Sequence, residues 1–278
     1  MQLAGPGVFG PPRDPDAARA VLRRAIELGV DHIDTAQYYG PDVVNDLIRD
    51  TLYPYPDGLA LVTKVGARRD SEGGWLAADT PAELRAGVED NLRSLRVERM
   101  ALANLRLMGA DGAFGEPTAE QLGALADLRA EGKLELVGVS NVSVEGFRIA
   151  LDLLGPEALG EVQNPYSILD RGDDELVSLC EEEGIAYVPF FPLGSAFTGG
   201  PAALAADPAI ASVAAKHGAT PSQIALAWLL HRSPRILLIP GTTSVAHLEE
   251  NLAAGEIALD ESDMARLEQV EQVGLPHR

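Results

Sequence analysis

The 278-residue sequence is short of several features that would mark a specialised class of protein. It contains one cysteine, which excludes an internal disulfide, and it has no Gly/Ser tract or low-complexity run of the kind that joins domains. No apolar stretch reaches the roughly 20 residues that cross a bilayer, and the first residues lack the basic and apolar segments of a signal peptide. These absences indicate a cytoplasmic globular protein.

Positive charge is also scarce, because 22 Lys and Arg residues stand against 42 Asp and Glu residues and leave a formal net charge of −20. Such a field repels polyanions, so nucleic acids and anionic membranes are poor partners. An anionic ligand would need locally positive side chains or the N-terminus of a helix. The expected partner is a small molecule, and we expect no metal site and a monomer or small homo-oligomer.

Predicted strands and helices alternate along the whole chain. Asp14-Pro15 opens a helix that Gly29 ends, and Thr80-Pro81 opens another, each with the signals of a helix N-terminus. The alternation implies right-handed βαβ units with a parallel sheet, and no G-x-G-x-x-G sequence supports a Rossmann fold. We therefore predict one α/β domain over residues 1–278, a (β/α)8 TIM barrel. The predicted strands lie at 1–5, 32–36, 59–65, 100–107, 134–139, 161–165, 185–190 and 236–239.

The predicted loops that follow strands are longer than those that follow helices. The long ones are residues 66–80, 107–117 and 191–207, whereas helices lead into strands through short segments that often contain a glycine. In barrel enzymes the active site lies on the loops that follow the strands. We therefore expect the functional residues there.

Three side chains of complementary chemistry are predicted at this face of the barrel. Asp34 ends the second strand, Tyr39 lies in the following loop, and Lys64 ends the third strand. Since neighbouring parallel strands lie ~5 Å apart, the three groups can converge. An ammonium lowers the pKa of a nearby phenol, so the triad can protonate a carbonyl oxygen as hydride arrives at carbon. The alternative is a structural ion pair of Lys64 and Asp34, with Tyr39 packed outside it.

Five segments resemble motifs of the aldo-keto reductase family, in the family's order and across essentially the whole chain. The resemblance implies a carbonyl reductase that uses NADPH without a Rossmann domain, with Tyr39 as the acid and Lys64 and Asp34 tuning it. NADH is the alternative cofactor. The segments are residues 34–40 (DTAQYYG), 62–66 (VTKVG), 138–141 (GVSN), 162–164 (VQN), and 239–243 (IPGTT) with 250–251 (EN).

The resemblance also implies which residues bind the cofactor. Ser140, Asn141 and Gln163 are expected to hold the nicotinamide carboxamide, and Phe190 is expected to stack on the nicotinamide ring. Phe190 is otherwise a core residue, and Ser195 and Ser244 are otherwise loop and cap residues. The remaining candidates belong to the segments implied for the phosphates and the adenosine: Pro192, Leu193, Ser195, Gly241, Thr242, Ser244, His247, Glu250 and Asn251.

Within the family, four segments are similar to the bacterial members that reduce pyridoxal. They are residues 1–14, 104–106, 187–194 and 237–248. This narrower resemblance implies pyridoxal as the substrate and pyridoxine as the product, a detail that residue chemistry alone does not reach. A general aldehyde or ketone reductase is the alternative.

The sequence departs from the family pattern in three places. Arg106 takes the place of the His that usually ends strand 4, and its guanidinium donates hydrogen bonds but exchanges no proton near neutral pH. The alternative is an Arg106 that serves the barrel mouth structurally, and pairing with Asp34 is one such arrangement. Gly241 and His247 lie nearest to the place of the cation that often binds the 2′-phosphate of NADPH. The N-terminal hairpin that often closes the barrel floor has no counterpart before residue 1.

Two other functions stay open at this stage. Lys64 could form a Schiff base with a substrate, as in an aldolase-like barrel that needs no nicotinamide. The chain could also bind the cofactor without turnover, which the replacement of the usual His by Arg106 would favour.

Overall fold

The computed structural model describes residues 1–109, 114–195 and 198–273, which fall into two compact units. The first unit comprises Met1–Val162 with Gly241–Val245, and the second comprises Gln163–Pro240 with the chain from Ala246 onward. Parts of two predicted loops, residues 110–113 and 196–197, lie outside the described residues. None of the described helices has the length and apolar character needed to cross a membrane.

A parallel sheet forms the centre of the first unit, with its strands hydrogen-bonded in the order β1-β2-β4-β5-β6. Its register places Asp34 beside Val62 and Lys64 beside Asn104, so the predicted catalytic strands are direct neighbours. The strands are β1 (His32–Asp34), β2 (Ala60–Arg69), β3 (Trp75–Ala78), β4 (Met100–Arg106), β5 (Leu134–Ser140) and β6 (Leu159–Gln163), whose last residue belongs to the second unit.

Helices of the first unit begin where the local sequence signals predict. Asp14 caps α1 by accepting hydrogen bonds from the backbone N–H groups of Asp16 and Ala17, and Thr80 caps α3 in a capping box with Glu83. The helices are α1 (Pro15–Glu27), α2 (Val43–Leu52), α3 (Pro81–Leu95), α4 (Ala119–Ala130) and α5 (Val144–Leu154).

The second unit is largely helical in its described residues. Its strand β7 is short, and Tyr187 of that strand forms a single parallel bridge with Ile236. Helix α10 begins with Val245, the last residue of the first unit. The elements are α6 (Asp174–Glu183), β7 (Ala186–Tyr187), α7 (Gly200–Ala206), α8 (Pro208–His217), α9 (Pro221–Arg232), α10 (Val245–Ala253) and α11 (Glu261–Leu267).

Three of the predicted strands are wrong in whole or in part. Residues 1–5 form a turn, in which the N–H of Ala4 donates to the carbonyl of Met1, because a 3₁₀ helix begins directly afterwards at Pro6. The predicted strand 185–190 shrinks to Ala186–Tyr187, and residues 236–239 contribute only a bridge before Pro240. Apolar character alone suggested these strands, and it does not specify a hydrogen-bonded partner.

The predicted loop 66–80 contains a hairpin that the sequence prediction missed. Strand β2 continues to Arg69 and pairs in antiparallel fashion with β3, which places Arg69 opposite Trp75. The turn is held by the carboxylate of Asp70, which accepts hydrogen bonds from the N–H groups of Glu72 and Gly74. The hairpin carries side chains of β2 and β3 beyond the parallel sheet.

A buried polar network fixes the strands that carry the predicted triad. The hydroxyl of Thr35 donates to Asn45 (2.8 Å), whose amide donates to Asn91 (2.9 Å) and to Ser94 (2.9 Å). The hydroxyl of Thr63 also donates to Asn91 (2.6 Å). Thr35 directly follows Asp34 in the sequence, and Thr63 directly precedes Lys64. The network therefore sets the positions of both charged residues.

We expect Asn91→Ala to lower the free energy of unfolding by about 2–5 kcal/mol, because it leaves the buried Asn45 amide and Thr63 hydroxyl without their acceptor. Urea denaturation measures the change. Arg93→Ala is the matched control on the same helix, since its side chain is 70% exposed and its loss should matter much less. Equal effects of the two substitutions would show that the network is not a major source of stability.

Candidate active site

Lys64 and Asp34 form a buried ion pair at the end of the parallel sheet. The Lys64 Nζ donates to Asp34 Oδ1, and the two side chains are only 6% and 9% exposed. The same ammonium lies 3.4 Å from the carbonyl oxygen of Thr35 and 5.6 Å from the centre of the Tyr39 ring. The structure therefore brings the three predicted residues together within the first unit.

The acidity of Tyr39 differs from the sequence expectation. Burial raises the pKa of the Tyr39 phenol well above its ordinary value, the negative charge of Asp34 raises it further, and Arg106 lowers it. Within the ion pair it is the negative charge of Asp34 that shifts the pKa of Tyr39, and the lowering expected from Lys64 is not seen. Tyr39 is therefore a protonated phenol in the resting site, and Arg106 is the cation that favours its ionised form.

Arg106 ends β4 and lies on the aromatic side of this site. Its Cζ is 4.6 Å from the centre of the Trp75 ring and 6.0 Å from that of Tyr38, both within cation–π range. Asp34 forms its ion pair with Lys64, and a structural role for Arg106 stays the alternative. Gly66 allows the approach of β2 to this residue: its φ is 97°, and a Cβ there would lie 2.5 Å from the carbonyl oxygen of Arg106.

Two aromatic residues that sequence reasoning did not assign complete the site. The Tyr38 ring lies 5.4 Å from the Tyr39 ring and 5.4 Å from the Trp75 ring, edge to face in both cases. Burial raises the pKa of Tyr38 to about 12, although Arg106 acts in the opposite direction. The position of Tyr38 in the DTAQYYG segment would have allowed its assignment to the site from the sequence. Trp75 can be assigned to the site only once the hairpin is known.

The candidate cofactor residues of the first unit lie at the end of β5 and in segment 241–244. Ser140 is buried and pairs with Arg106 in the β4–β5 register. Asn141 has a positive φ of 59°, and its amide donates to the carbonyl of Leu107 (3.1 Å). Thr242 accepts a hydrogen bond from the Ser244 N–H at 3.0 Å. Gly241 precedes this turn.

The other candidates belong to the second unit. Gln163 is fully buried, and the N–H of Phe190 donates to the carbonyl of Asn164 at 3.0 Å. The Phe190 ring contacts Phe191 edge to face, with 5.2 Å between ring centres. Pro192 and Leu193 follow in the turn that Gly194 closes, and Ser195 is buried where its N–H donates to Thr198. His247, Glu250 and Asn251 lie on α10.

Comparisons with known proteins agree along the whole chain. The sequence profile of the Aldo/keto reductase family matches residues 1–272. The chain is 50% identical over 275 residues to pyridoxine 4-dehydrogenase of Escherichia coli (strain K12), with 96% of this chain and 91% of the relative covered. It is 35% identical over 269 residues to an uncharacterized oxidoreductase of Schizosaccharomyces pombe, with 97% and 84% covered.

The fold is also similar to that of solved aldo-keto reductases. A crystal structure of an aldo-keto reductase from Klebsiella pneumoniae in complex with NADPH has a TM-score of 0.80 and 25% identity, with 100% of this chain and 91% of that chain covered. This similarity confirms the predicted fold class, the (β/α)8 barrel of the aldo-keto reductases.

We expect Asp34→Asn to lower the free energy of unfolding by about 3–5 kcal/mol, because it leaves the buried Lys64 ammonium without its counter-charge. Denaturant titration of the purified variant measures the loss. Asp46→Asn is the matched control, since Asp46 pairs with Arg49 on the surface, and its loss should cost less than about 1 kcal/mol.

The double variant Asp34→Asn/Lys64→Met completes the comparison. It removes both charges, so it should recover much of the stability that the single substitution loses. A double variant that is as unstable as the sum of the two single variants would contradict a coupled buried pair.

Proposed function

The chain belongs to the aldo/keto reductase family, and we propose that it uses NADPH to reduce the aldehyde of pyridoxal to the alcohol of pyridoxine. The observation that carries the proposal is the buried Tyr39 phenol beside both the Lys64–Asp34 ion pair and Arg106. The substrate rests on the 50% identity to the E. coli pyridoxine 4-dehydrogenase. The family resemblance of residues 34–40 and 62–66 supports the same reaction.

The residues present fit a nicotinamide dinucleotide. Segment 241–244 offers glycine, hydroxyl groups and backbone N–H groups immediately before α10, which is the donor set that a phosphate group accepts. We propose that Ser140 and Asn141 of the first unit bind the carboxamide, and that Gln163 and Phe190 of the second unit bind the carboxamide and the ring. The other proposed contacts are Pro192, Leu193, Ser195, Gly241, Thr242, Ser244, His247, Glu250 and Asn251.

Tyr39 is the proposed proton donor. NADPH, when bound, supplies the hydride that the carbonyl carbon accepts. The carbonyl oxygen gains negative charge and takes the proton of the Tyr39 hydroxyl, which leaves a phenolate that solvent later protonates. The raised pKa of Tyr39 keeps the proton in place before reaction, and an alkoxide is a stronger base than a phenolate, so the transfer is favourable. Lys64 and Asp34 fix the surroundings of the phenol.

Arg106 is proposed to stabilise the charge that develops during the reaction. It carries a permanent positive charge, lies close enough to lower the pKa of Tyr39, and keeps part of its surface exposed. A fixed cation in a partly dry site stabilises both a carbonyl oxygen that gains charge and the phenolate that remains. The family's usual His is neutral or charged depending on pH, whereas Arg106 serves at every physiological pH.

A Schiff-base mechanism at Lys64 is the weaker candidate. The Lys64 nitrogen is in contact with the Asp34 carboxylate in a buried setting, so it is engaged in an ion pair and is not open to attack a carbonyl carbon. Borohydride trapping of pyridoxal on Lys64 would support the Schiff-base mechanism. NADPH binding without turnover would support the alternative that the chain binds the cofactor but catalyses no reaction. A cytoplasmic location and a monomeric or small homo-oligomeric state are further parts of the proposal, and NADH is the alternative cofactor.

We expect Tyr39→Phe to lower kcat for pyridoxal reduction by at least ~100-fold while the Kd for NADPH stays within about twofold, because the hydroxyl is the positioned acid. NADPH oxidation at 340 nm and fluorescence titration of the cofactor measure the two quantities. Tyr38→Phe is the matched control, since it removes the neighbouring buried hydroxyl, and its loss should be much smaller. The assignment is wrong if Tyr38→Phe shows the larger loss.

We expect Arg106→Ala to lower kcat/KM by ~100- to 1,000-fold, the scale of losing one charge-stabilising donor. Arg106→Lys should recover only part of the activity because it keeps the charge but lacks the planar fork. Arg106→His restores the residue common in the family and tests whether the pocket tolerates a titrating group. A wild-type rate in Arg106→Ala would assign Arg106 to structure alone.

A further inference from the structure

A second arginine shares the aromatic wall of the proposed site. The hairpin places Arg69 opposite Trp75, and the Arg69 Cζ lies 4.0 Å from the centre of the Trp75 ring. The same ring lies 4.6 Å from the Cζ of Arg106. One indole therefore contacts two guanidinium groups, and neither the family motifs nor the comparisons assign Arg69 or Trp75 a role.

The two positive charges are not neutralised by the described side chains around them. Neither Arg69 nor Arg106 forms an ion pair with a carboxylate among the described residues, although the whole chain has a net charge of −20. Asp70 is the acidic neighbour of Arg69, but its Oδ1 accepts hydrogen bonds from the Glu72 and Gly74 N–H groups in the turn. The pKa of Arg69 is lowered, by burial first and by the charge of Arg106 second. Like charges held together in this way create a local positive potential.

The solvent exposure of Arg69, Trp75 and Arg106 determines which of them can contact a ligand. Trp75 and Arg106 are half-buried, so each keeps surface that a ligand can contact. The Nη2 of Arg69 donates to the carbonyl of Gly7 at 2.7 Å, and its Nε and Nη1 are shielded from solvent. Arg69 therefore acts through its charge and through its stacking on Trp75, as a positioning residue.

We propose that Arg69, Trp75 and Arg106 select aromatic aldehydes that carry an ionised oxygen on the ring carbon next to the aldehyde-bearing carbon. This rests on the proposed function, since pyridoxal has a hydroxyl at that position. The parallel N–H groups of the Arg106 fork match two neighbouring oxygens, the carbonyl oxygen and the phenolate. Trp75 orients Arg106 through their cation–π contact, and the charge of Arg69 favours the phenolate form of the ligand.

The test is the ratio of kcat/KM for 2-hydroxybenzaldehyde to kcat/KM for benzaldehyde, with NADPH and the full chain. Because both aldehydes are measured on one preparation, the ratio does not depend on the folded fraction. In Arg69→Met the ratio should fall at least ~5-fold through a higher KM for the hydroxylated aldehyde, with kcat nearly unchanged. Arg69→Lys keeps the charge and should retain most of the ratio. Arg68→Met, on the adjacent exposed arginine, should leave the ratio as in the wild type.

The outcomes separate this inference from the proposed function. An equal loss for both aldehydes in Arg69→Met, or a wild-type preference for 4-hydroxybenzaldehyde over 2-hydroxybenzaldehyde, would overturn the inference alone. Reduction of pyridoxal by a wild-type enzyme that shows no preference for the 2-hydroxy compound would do the same. Failure of the wild type to oxidise NADPH with any aldehyde, pyridoxal included, would overturn the proposed function itself.

Discussion

The buried ion pair of Lys64 and Asp34 is the constraint that the surrounding structure of the first unit must satisfy. Removing two charges from water costs several kcal/mol for each ion, and only close contact with correct geometry recovers that cost. The geometry comes from the neighbouring residues, because Thr35 and Thr63 are bound to one chain of buried amides, Asn45 and Asn91. Strands β1 and β2 are thereby held in the register that joins the charges.

The same pair also affects the pKa of the adjoining Tyr39 phenol. Burial and the negative charge of Asp34 both work against ionisation of Tyr39. The positive charge that favours ionisation comes instead from β4, where Arg106 replaces the titrating histidine common in the family. Burial, aided by the charge of Asp34, thus keeps Tyr39 protonated at rest, and Arg106 lowers the free energy of the phenolate that the proposed reaction would leave. Both effects act in a site where burial weakens screening by water.

Local signals made part of the fold predictable from the sequence, and long-range pairing limited the rest. Helix starts at Asp14 and Thr80 follow from capping chemistry that depends on three or four consecutive residues. The convergence of Asp34, Tyr39 and Lys64 follows from strand order, because ends of neighbouring parallel strands lie together. The predictions of strands at 1–5 and 236–239 were wrong because the local sequence does not reveal whether another strand lies beside the segment and pairs with it. The sequence prediction missed the hairpin because its strand β3 is only four residues long and its turn depends on the Asp70 side chain.

The hairpin places a second positive charge near the candidate site, which the sequence alone does not predict. A net charge of −20 predicts that polyanions are repelled and that an anionic ligand needs locally positive groups, and the family resemblance places Arg106 at the candidate site. The antiparallel pairing of β2 with β3 brings a second cation to the same indole, and the contact with Trp75 stabilises two guanidinium groups that would otherwise repel each other. Two like charges near a half-buried site raise the energy of the free protein, and an anionic ligand relieves that repulsion when it binds. The proposed selectivity follows from this repulsion, because a neutral aldehyde of the same shape relieves none of it.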